Sequence, residues 1–373
     1  MGVLINEIEL IDILHKTKKA LLLEPNYTRK YMPLGLAKLA TAIQSNGGTV
    51  RYSREWVAND SDAIFCTSLF TYNSQEVRKA ITGLQVQVCQ NTPIYVGGVY
   101  ASLMPDHLLQ HTTANVFVGC SNYLDSIPPD YEIDWKLNDP WDKFSYCFTS
   151  RGCVNKCAYC AVWRLEPSIH VINNWKDHID LNKPYIMISD NNLSSQSEKH
   201  VEDVVKFIYD NKKTTLFNNG FDCKYITADI AKSLGKLKYI QGGGMRVAFD
   251  RIEEDGIFQD AVRLLLSGGI KKSKILAFIL FNFQDTPQEA NYRATECLKL
   301  GIRPYPQQYY TLNCLSQKDK YIDKYWTENL VSAFRYFWLM AGYYTKMTFV
   351  QFIQHTDRYT LTDEEWEKWY YTK

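Results

Sequence analysis

The sequence predicts an α/β protein in which two βα-repeating domains precede a helical C-terminal segment, and three observations carry that expectation. Short apolar runs alternate with helix-period segments through the first third, the pattern of a parallel sheet covered by helices. After Phe144 the rhythm resumes with longer units. From Tyr321 to Lys373 the chain becomes rich in Trp, Tyr and Phe, which reads as packed helices. The expected boundaries are 1–135, 136–320 and 321–373.

In the first domain, Lys19–Glu24 reads as a strand, Leu34–Ser45 as an amphipathic helix, and Thr49–Tyr52 and Ala63–Ser68 as further strands. Gln75–Cys89 suits a helix, while Ile94–Val96 and Val116–Val118 complete the sheet. The segment Ser121–Trp141, with Pro128, Pro129 and Pro140, reads as an interdomain linker. In the second domain, strands are expected at Phe144–Ser150, Tyr185–Asp190, Thr214–Asn219, Met245–Asp250, Ile275–Phe283 and Pro304–Thr311. Helical patterns near Glu198–Tyr209, Ala228–Leu234, Phe258–Ser267 and Gln288–Leu300 separate them. Residues that act on a ligand should then gather at the strand C-termini.

The most specific motif is Cys153, Cys157 and Cys160 in a C-x3-C-x2-C spacing. Three thiolates on one short loop suit a cuboidal iron–sulfur cluster with one iron left open to a ligand. A structural zinc site would want four closed ligands, and no fourth Cys or His follows at a finger-like spacing. With Tyr159 before the third cysteine and Arg151-Gly152 before the first, the loop resembles the radical S-adenosylmethionine (SAM) superfamily. That resemblance implies a partial (β/α)6 barrel and a [4Fe-4S] cluster whose open iron chelates the amino and carboxylate groups of SAM. It also implies cleavage of SAM to a 5′-deoxyadenosyl radical and an electron donor such as flavodoxin or ferredoxin.

Where the family often carries a Gly-Gly-Glu motif for the SAM amino group, this chain has Ser189-Asp190-Asn191-Asn192. Asp190 and Asn191 can accept hydrogen bonds from an ammonium; Asn192 also suits a turn. Asp222 and Lys224 follow the third strand, Lys224 standing where relatives place an arginine and lacking its bidentate fork. Asp222 and Asp250 are candidates for ribose hydroxyls, and Asn282 for an adenine-side contact. Thr286-Pro287 reads chiefly as a helix start. Gln307 and Tyr309 on the last strand share one face, toward either the barrel mouth or the wall.

The front domain resembles the cobalamin-binding-type Rossmann domains that precede many radical SAM cores. The phrases are Tyr31-Met32-Pro33-Leu34-Gly35-Leu36, Tyr95-Val96-Gly97-Gly98-Val99-Tyr100 and Val116-Phe117-Val118-Gly119. Gly97 and Gly98 would let backbone approach a ligand. Against a corrinoid stand the missing D-x-H-x-x-G motif, which makes His107 a helix-start residue, and the ten or so residues between the second and third strands, short for a crossover helix.

Composition narrows the class. The chain has 373 residues, 46% hydrophobic, with a net charge of +1, so no basic excess points to nucleic acid. No apolar run reaches membrane-spanning length. Ten cysteines without a signal peptide suggest a reducing, cytoplasmic setting, with Cys66, Cys89, Cys297 and Cys314 as core thiols. The leading expectation is hydrogen abstraction from an unactivated carbon, with methyl transfer if cobalamin is bound and rearrangement, epimerisation or cyclisation if it is not. A methylthiotransferase would need a second cluster, for which Cys66, Cys89 and Cys120 are the candidates. An iron–sulfur binding or regulatory protein is the non-enzymatic alternative. The substrate is not readable.

Overall fold

A computed structural model describes residues 2–55, 60–87 and 92–371. The chain is α/β with mostly parallel sheets. It divides into two compact units, one of residues 1–184 with 312–319 and the other of residues 185–311 with 320–373.

The first unit begins with β1 (Leu4–Ile5) and α1 (Glu7–Lys16), then β2 (Lys19–Leu23), α2 (Leu34–Ser45), β3 (Thr49–Ser53) and β4 (Ala63–Ser68). α3 (Ser74–Gln87), β5 (Ile94–Gly98), α4 (Val99–Leu103), α5 (Pro105–His111) and β6 (Asn115–Phe117) follow. The strands form one sheet in the order β1-β6-β5-β4-β2-β3, every pairing parallel. Leu21, Leu23, Ile64, Val96 and Val116 pack with Val77, Ile81 and Leu84 of α3 in its core. The first strand and helix were not anticipated, although a signal was present. Asn6 caps α1 by accepting from Glu9 N at 3.0 Å, and the Glu9 carboxylate accepts from Asn6 N at 2.7 Å, a capping box in N-x-x-E form.

The strand order explains the short connection from β3 to β4. β3 lies at the sheet edge beyond β2, and β4 lies on the other side of β2. Returning along a five-residue strand and across two strand spacings takes about 19 Å, and residues 54–62 can reach roughly 30 Å. No crossover helix is required. The order of β3, β2, β4, β5 and β6 is that of an open doubly wound sheet, whose switch point lies between the carboxyl ends of β2 and β4.

The stretch expected to be a linker is instead packed into this unit. It carries α6 (Asn122–Asp125), and Asp125 and Trp135 are buried. The Tyr131 hydroxyl takes a bond from Tyr146 N at 2.8 Å and donates toward the carbonyls of Tyr146 and His178. β7 (Phe144–Cys147), β8 (Ser150–Arg151), α7 (Val162–Leu165) and β9 (His170–Val171) complete the unit's regular structure. β8 and β9 pair antiparallel, Arg151 opposite His170.

In the second unit, β10 (Tyr185–Ile188), α8 (Glu198–Asp210), β11 (Thr214–Phe217), β12 (Phe221–Asp222), α9 (Ala228–Leu234), β13 (Lys238–Tyr239), β14 (Met245–Ala248), α10 (Ile257–Ser267), β15 (Ile275–Phe281), α11 (Pro287–Leu300) and β16 (Arg303–Gln308) alternate. β10, β11 and β13 pair in parallel, as do β12, β14, β15 and β16. Phe217 N donates to Gly244 O at 2.9 Å, joining β11 to the approach of β14. The short strands β12 and β13 were not expected. α12 (Glu328–Leu339), α13 (Ala341–Tyr344), α14 (Phe349–His355) and α15 (Asp363–Tyr371) follow. Their aromatic residues Phe334, Phe337, Trp338, Phe349 and Phe352 are buried, as the tail's composition suggested.

Candidate functional site

The cysteine loop begins where β8 ends. Gly152 has φ +76°, and a Cβ there would stand 2.5 Å from Ser168 O, so only glycine fits between β8 and the strand that returns beside it. The loop then exposes Cys153, Cys157 and Cys160 partly to solvent, none in a disulfide. Asn155 N points at Cys153 Sγ at 3.4 Å and Val162 N at Cys160 Sγ at 3.5 Å. Backbone donors aimed at sulfur stabilise a thiolate and tune a cluster bound to it. The carbonyl of Cys157 accepts from Cys160 N at 3.0 Å and Trp163 Nε1 at 3.1 Å, which closes the loop upon α7.

Buried charge braces this loop. Arg151 donates to both oxygens of Asp125, Nε to Oδ2 at 2.9 Å and Nη2 to Oδ1 at 2.7 Å, and its Nη1 lies 3.3 Å from Glu166. The guanidinium sits 3.8 Å from the Phe148 ring centroid. Glu166 also accepts from Gly152 N at 2.8 Å. From α2, Lys38 reaches Leu124 O at 3.0 Å and Asp125 Oδ1 at 3.7 Å. Burial pulls the Lys38 ammonium down to about 8, the nearby Asp125 opposing. Sequence reading missed Asp125, Glu166 and Lys38, because the pairs join residues distant in the chain.

Among the described residues, no group of three or more His, Cys, Asp or Glu converges to hold a single metal ion. A cuboidal cluster makes a different demand, one thiolate on each of three irons, so its ligands need not meet at one point. The donor set, three half-exposed cysteines with N–H groups on two sulfurs, fits such a group.

In the second unit, the expected ligand residues fall at carboxyl ends of parallel strands. Asp190 and Asn191 follow β10, Asp190 buried and Asn191 half-buried. Asn219 Nδ2 donates to Ser189 O at 2.8 Å and Asp190 O at 3.2 Å, tying the ends of β10 and β11 together; it was not singled out beforehand. Asn192 takes the turn role open to it, accepting from Ser194 Oγ at 2.8 Å. Asp222 ends β12, its Oδ1 receiving Lys224 N at 3.1 Å, and the Lys224 side chain is exposed. Asp250 follows β14 and accepts from Leu280 N at 3.2 Å.

Two expectations need correction. Asn282 is fully buried with φ +66°, and its amide is committed to the fold, Nδ2 donating to Tyr321 O at 2.7 Å and Oδ1 accepting from Asp323 N at 2.9 Å. It pins the chain around residue 322 and is no longer a ligand candidate. Gly98, at φ +106°, is required by the sheet, because a Cβ would stand 2.1 Å from Ser68 O of β4. Gly97 has open space on its Cβ side, so close approach of a ligand is a matter for Gly97 alone. Two strands away, at the carboxyl end of β2, buried Glu24 accepts from Arg29 Nε at 2.7 Å and from the Tyr52 hydroxyl at 2.5 Å.

The cysteines proposed for a second cluster lie in different surroundings. Cys66 is buried in the core of the first sheet, and desolvation pushes its thiol well above the ordinary range. Cys120, by contrast, is exposed. Cys89 lies outside the described residues. Cys297 and Cys314 are buried, as core thiols should be. His107 lies in the first turns of α5, its Nδ1 2.7 Å from the Tyr100 hydroxyl.

In comparisons with known proteins, no family model matches the chain and no curated protein matches it.

Proposed function

We propose that this chain is a radical SAM enzyme that abstracts hydrogen from an unactivated carbon. The observation that carries the reading is the open-site spacing of Cys153, Cys157 and Cys160 on a loop with N–H groups aimed at two of the sulfurs. Those cysteines would hold a [4Fe-4S] cluster, which when bound and reduced would supply the single electron needed for reductive cleavage of SAM. The chain's own residues do the rest. Asp190 and Asn191 accept from the SAM ammonium, exposed Lys224 attracts its carboxylate as a point charge, and Asp222 and Asp250 take ribose hydroxyls. Tyr159 directly precedes the third cysteine ligand in the chain.

In this reading the parallel strands of the second unit, each bearing its polar residues at the carboxyl end, belong to a partial (β/α)6 barrel capped by α12–α15, and the first sheet is a Rossmann-like domain. The electron donor is a flavodoxin or ferredoxin, and the setting is a reducing cytoplasm. Anaerobic reconstitution tests the reading. The wild type should gain brown [4Fe-4S] absorbance and release 5′-deoxyadenosine from SAM under reduction, and alanine at any of the three cysteines should abolish both. A cluster that never cleaves SAM would make the chain an iron–sulfur binding or regulatory protein instead.

The doubly wound strand order favours a second, cobalamin-dependent reading, since such sheets bind ligands at the switch point. Methyl transfer then follows hydrogen abstraction. Stoichiometric corrinoid uptake by the wild type, lost in Gly97→Val, supports it; no uptake with continued SAM cleavage leaves a cobalamin-independent rearrangement, epimerisation or cyclisation.

A further inference from the structure

Arg293, on α11, is fully buried, yet its contacts converge on the strand ends rather than on the helix layer. Its Nη1 donates to three carbonyl oxygens, Phe249 at 2.9 Å, Asp250 at 2.7 Å and Leu280 at 2.8 Å, from the adjacent ends of β14 and β15. Nη2 pairs with Asp285 Oδ2 at 2.5 Å, and Nε reaches Glu289 O at 3.3 Å. The other oxygen of Asp285 receives Phe283 N at 3.0 Å and Trp326 Nε1 at 3.2 Å. A single guanidinium thus fixes two strand ends to each other and, through one carboxylate, to the chain at Trp326.

A stability role alone accounts poorly for this arrangement. Exchanging a buried ion pair for well-packed apolar residues is often neutral or stabilising, so burial of charge is weak evidence for stability. The backbone held here is also unusual, for Asn282 and Gln284 both have positive φ, +66° and +53°, within three residues. Left-handed non-glycine residues persist only where their surroundings over-determine them, and they cluster at ligand sites. Here the surroundings are Asp323, which receives Gln284 N at 3.0 Å, and Asp285. The residue immobilised most directly is Asp250, gripped through its own carbonyl by Arg293 and through its carboxylate by Leu280 N.

We infer that Arg293 and its counter-ion Asp285 are positioning residues that hold Asp250 and the ends of β14 and β15 in the geometry that binds the nucleoside part of SAM. This rests on the function proposed above. Arg293 does not touch the ligand; it acts by fixing carbonyls whose strands carry the residue that does. Lysine at 293 keeps the charge but cannot span Asp285 and three carbonyls with one rigid fork.

The test measures SAM binding by equilibrium dialysis on anaerobically reconstituted wild type, Arg293→Lys and Trp326→Phe, with iron content and unfolding temperature recorded for each. Arg293→Lys should raise the SAM dissociation constant by about tenfold or more, as expected for a ligand group displaced by a fraction of an ångström, at wild-type iron content. Trp326→Phe keeps an aromatic side chain but loses the pyrrole ring with the N–H that Asp285 accepts through its carbonyl at 2.9 Å and its carboxylate at 3.2 Å, so it should raise the constant about threefold. It also serves if Arg293→Lys does not fold. A folded variant pair that melts earlier but binds SAM as the wild type does overturns the inference and makes Arg293 purely structural. A wild type that assembles the cluster but binds no SAM overturns the proposed function, and this inference with it.

Discussion

Asp125→Asn offers the sharpest test of how the cysteine loop is held. In the native protein the Asp125 side chain is 7% exposed, takes two bonds from Arg151 and faces Lys38. The substitution keeps the shape and one acceptor but leaves two buried cations short of their shared anion. Breaking a buried pair by removing one partner costs about 3–5 kcal/mol. Glu166, 3.3 Å from Arg151 Nη1, keeps part of the compensation, and the asparagine oxygen keeps one bond, so a loss of about 2–3 kcal/mol is expected. For a unit of this size each kcal/mol lowers the melting temperature by about 2–4 °C, giving a fall of roughly 4–12 °C. Asp210→Asn provides the control, because the Lys206–Asp210 pair on α8 is as short, 2.5 Å, but solvent-exposed, and such pairs contribute about 0.3–0.5 kcal/mol. Calorimetric melts of the two variants at one ionic strength make the comparison. If Asp125→Asn melts no earlier than Asp210→Asn, the ion cluster does not brace the loop and the reasoning fails.

Other outcomes can be checked alongside. His178 is buried, and desolvation pulls its imidazole down to about 4; the unfolded chain therefore binds the extra proton first as pH falls below about 6.5. Its stabilising share is intact above about 6.5 and declines toward pH 4 by at most about 1.4 kcal/mol per pH unit, so His178→Phe should flatten the acid limb of a denaturant-derived stability profile. Gly98→Ala should destabilise by about 2–3 kcal/mol through the clash with Ser68 O and the left-handed backbone, whereas Gly97→Ala, with open space, should stay within about 1 kcal/mol; urea unfolding separates them. Asp190→Ala should weaken SAM binding by about 1.5–3 kcal/mol with the cluster intact, and an unchanged dissociation constant would leave Asp190 a turn residue.

What the sequence by itself determined is what short-range chemistry decides. Apolar periodicity located β2 to β6, α2 and α3 of the first unit and the longer strands and helices of the second up to β16 to within a few residues, and missed short elements such as β1, β12 and β13. Thr286-Pro287 announced the start of α11, where Thr286 Oγ1 accepts from Glu289 N at 3.2 Å and the Glu289 carboxylate from Thr286 N at 2.8 Å. Asn192 was readable as a turn residue because an Asx side chain bonds its own neighbourhood. The three cysteines were legible because their C-x3-C-x2-C spacing is a property of the sequence itself.

Only the tertiary structure decided strand order, and with it how short the connection from β3 to β4 can be, since pairing is a contest among distant segments. It decided that a proline-bearing stretch would pack, because Asp125 finds Arg151 across 26 residues. It gave Asn282 a structural duty through Tyr321 and Asp323, about forty positions away. Gly98 depends on a carbonyl thirty residues earlier, and Arg293 collects carbonyls from two other strands. A buried polar group must find its partner wherever the fold places one, and no local pattern records that distance.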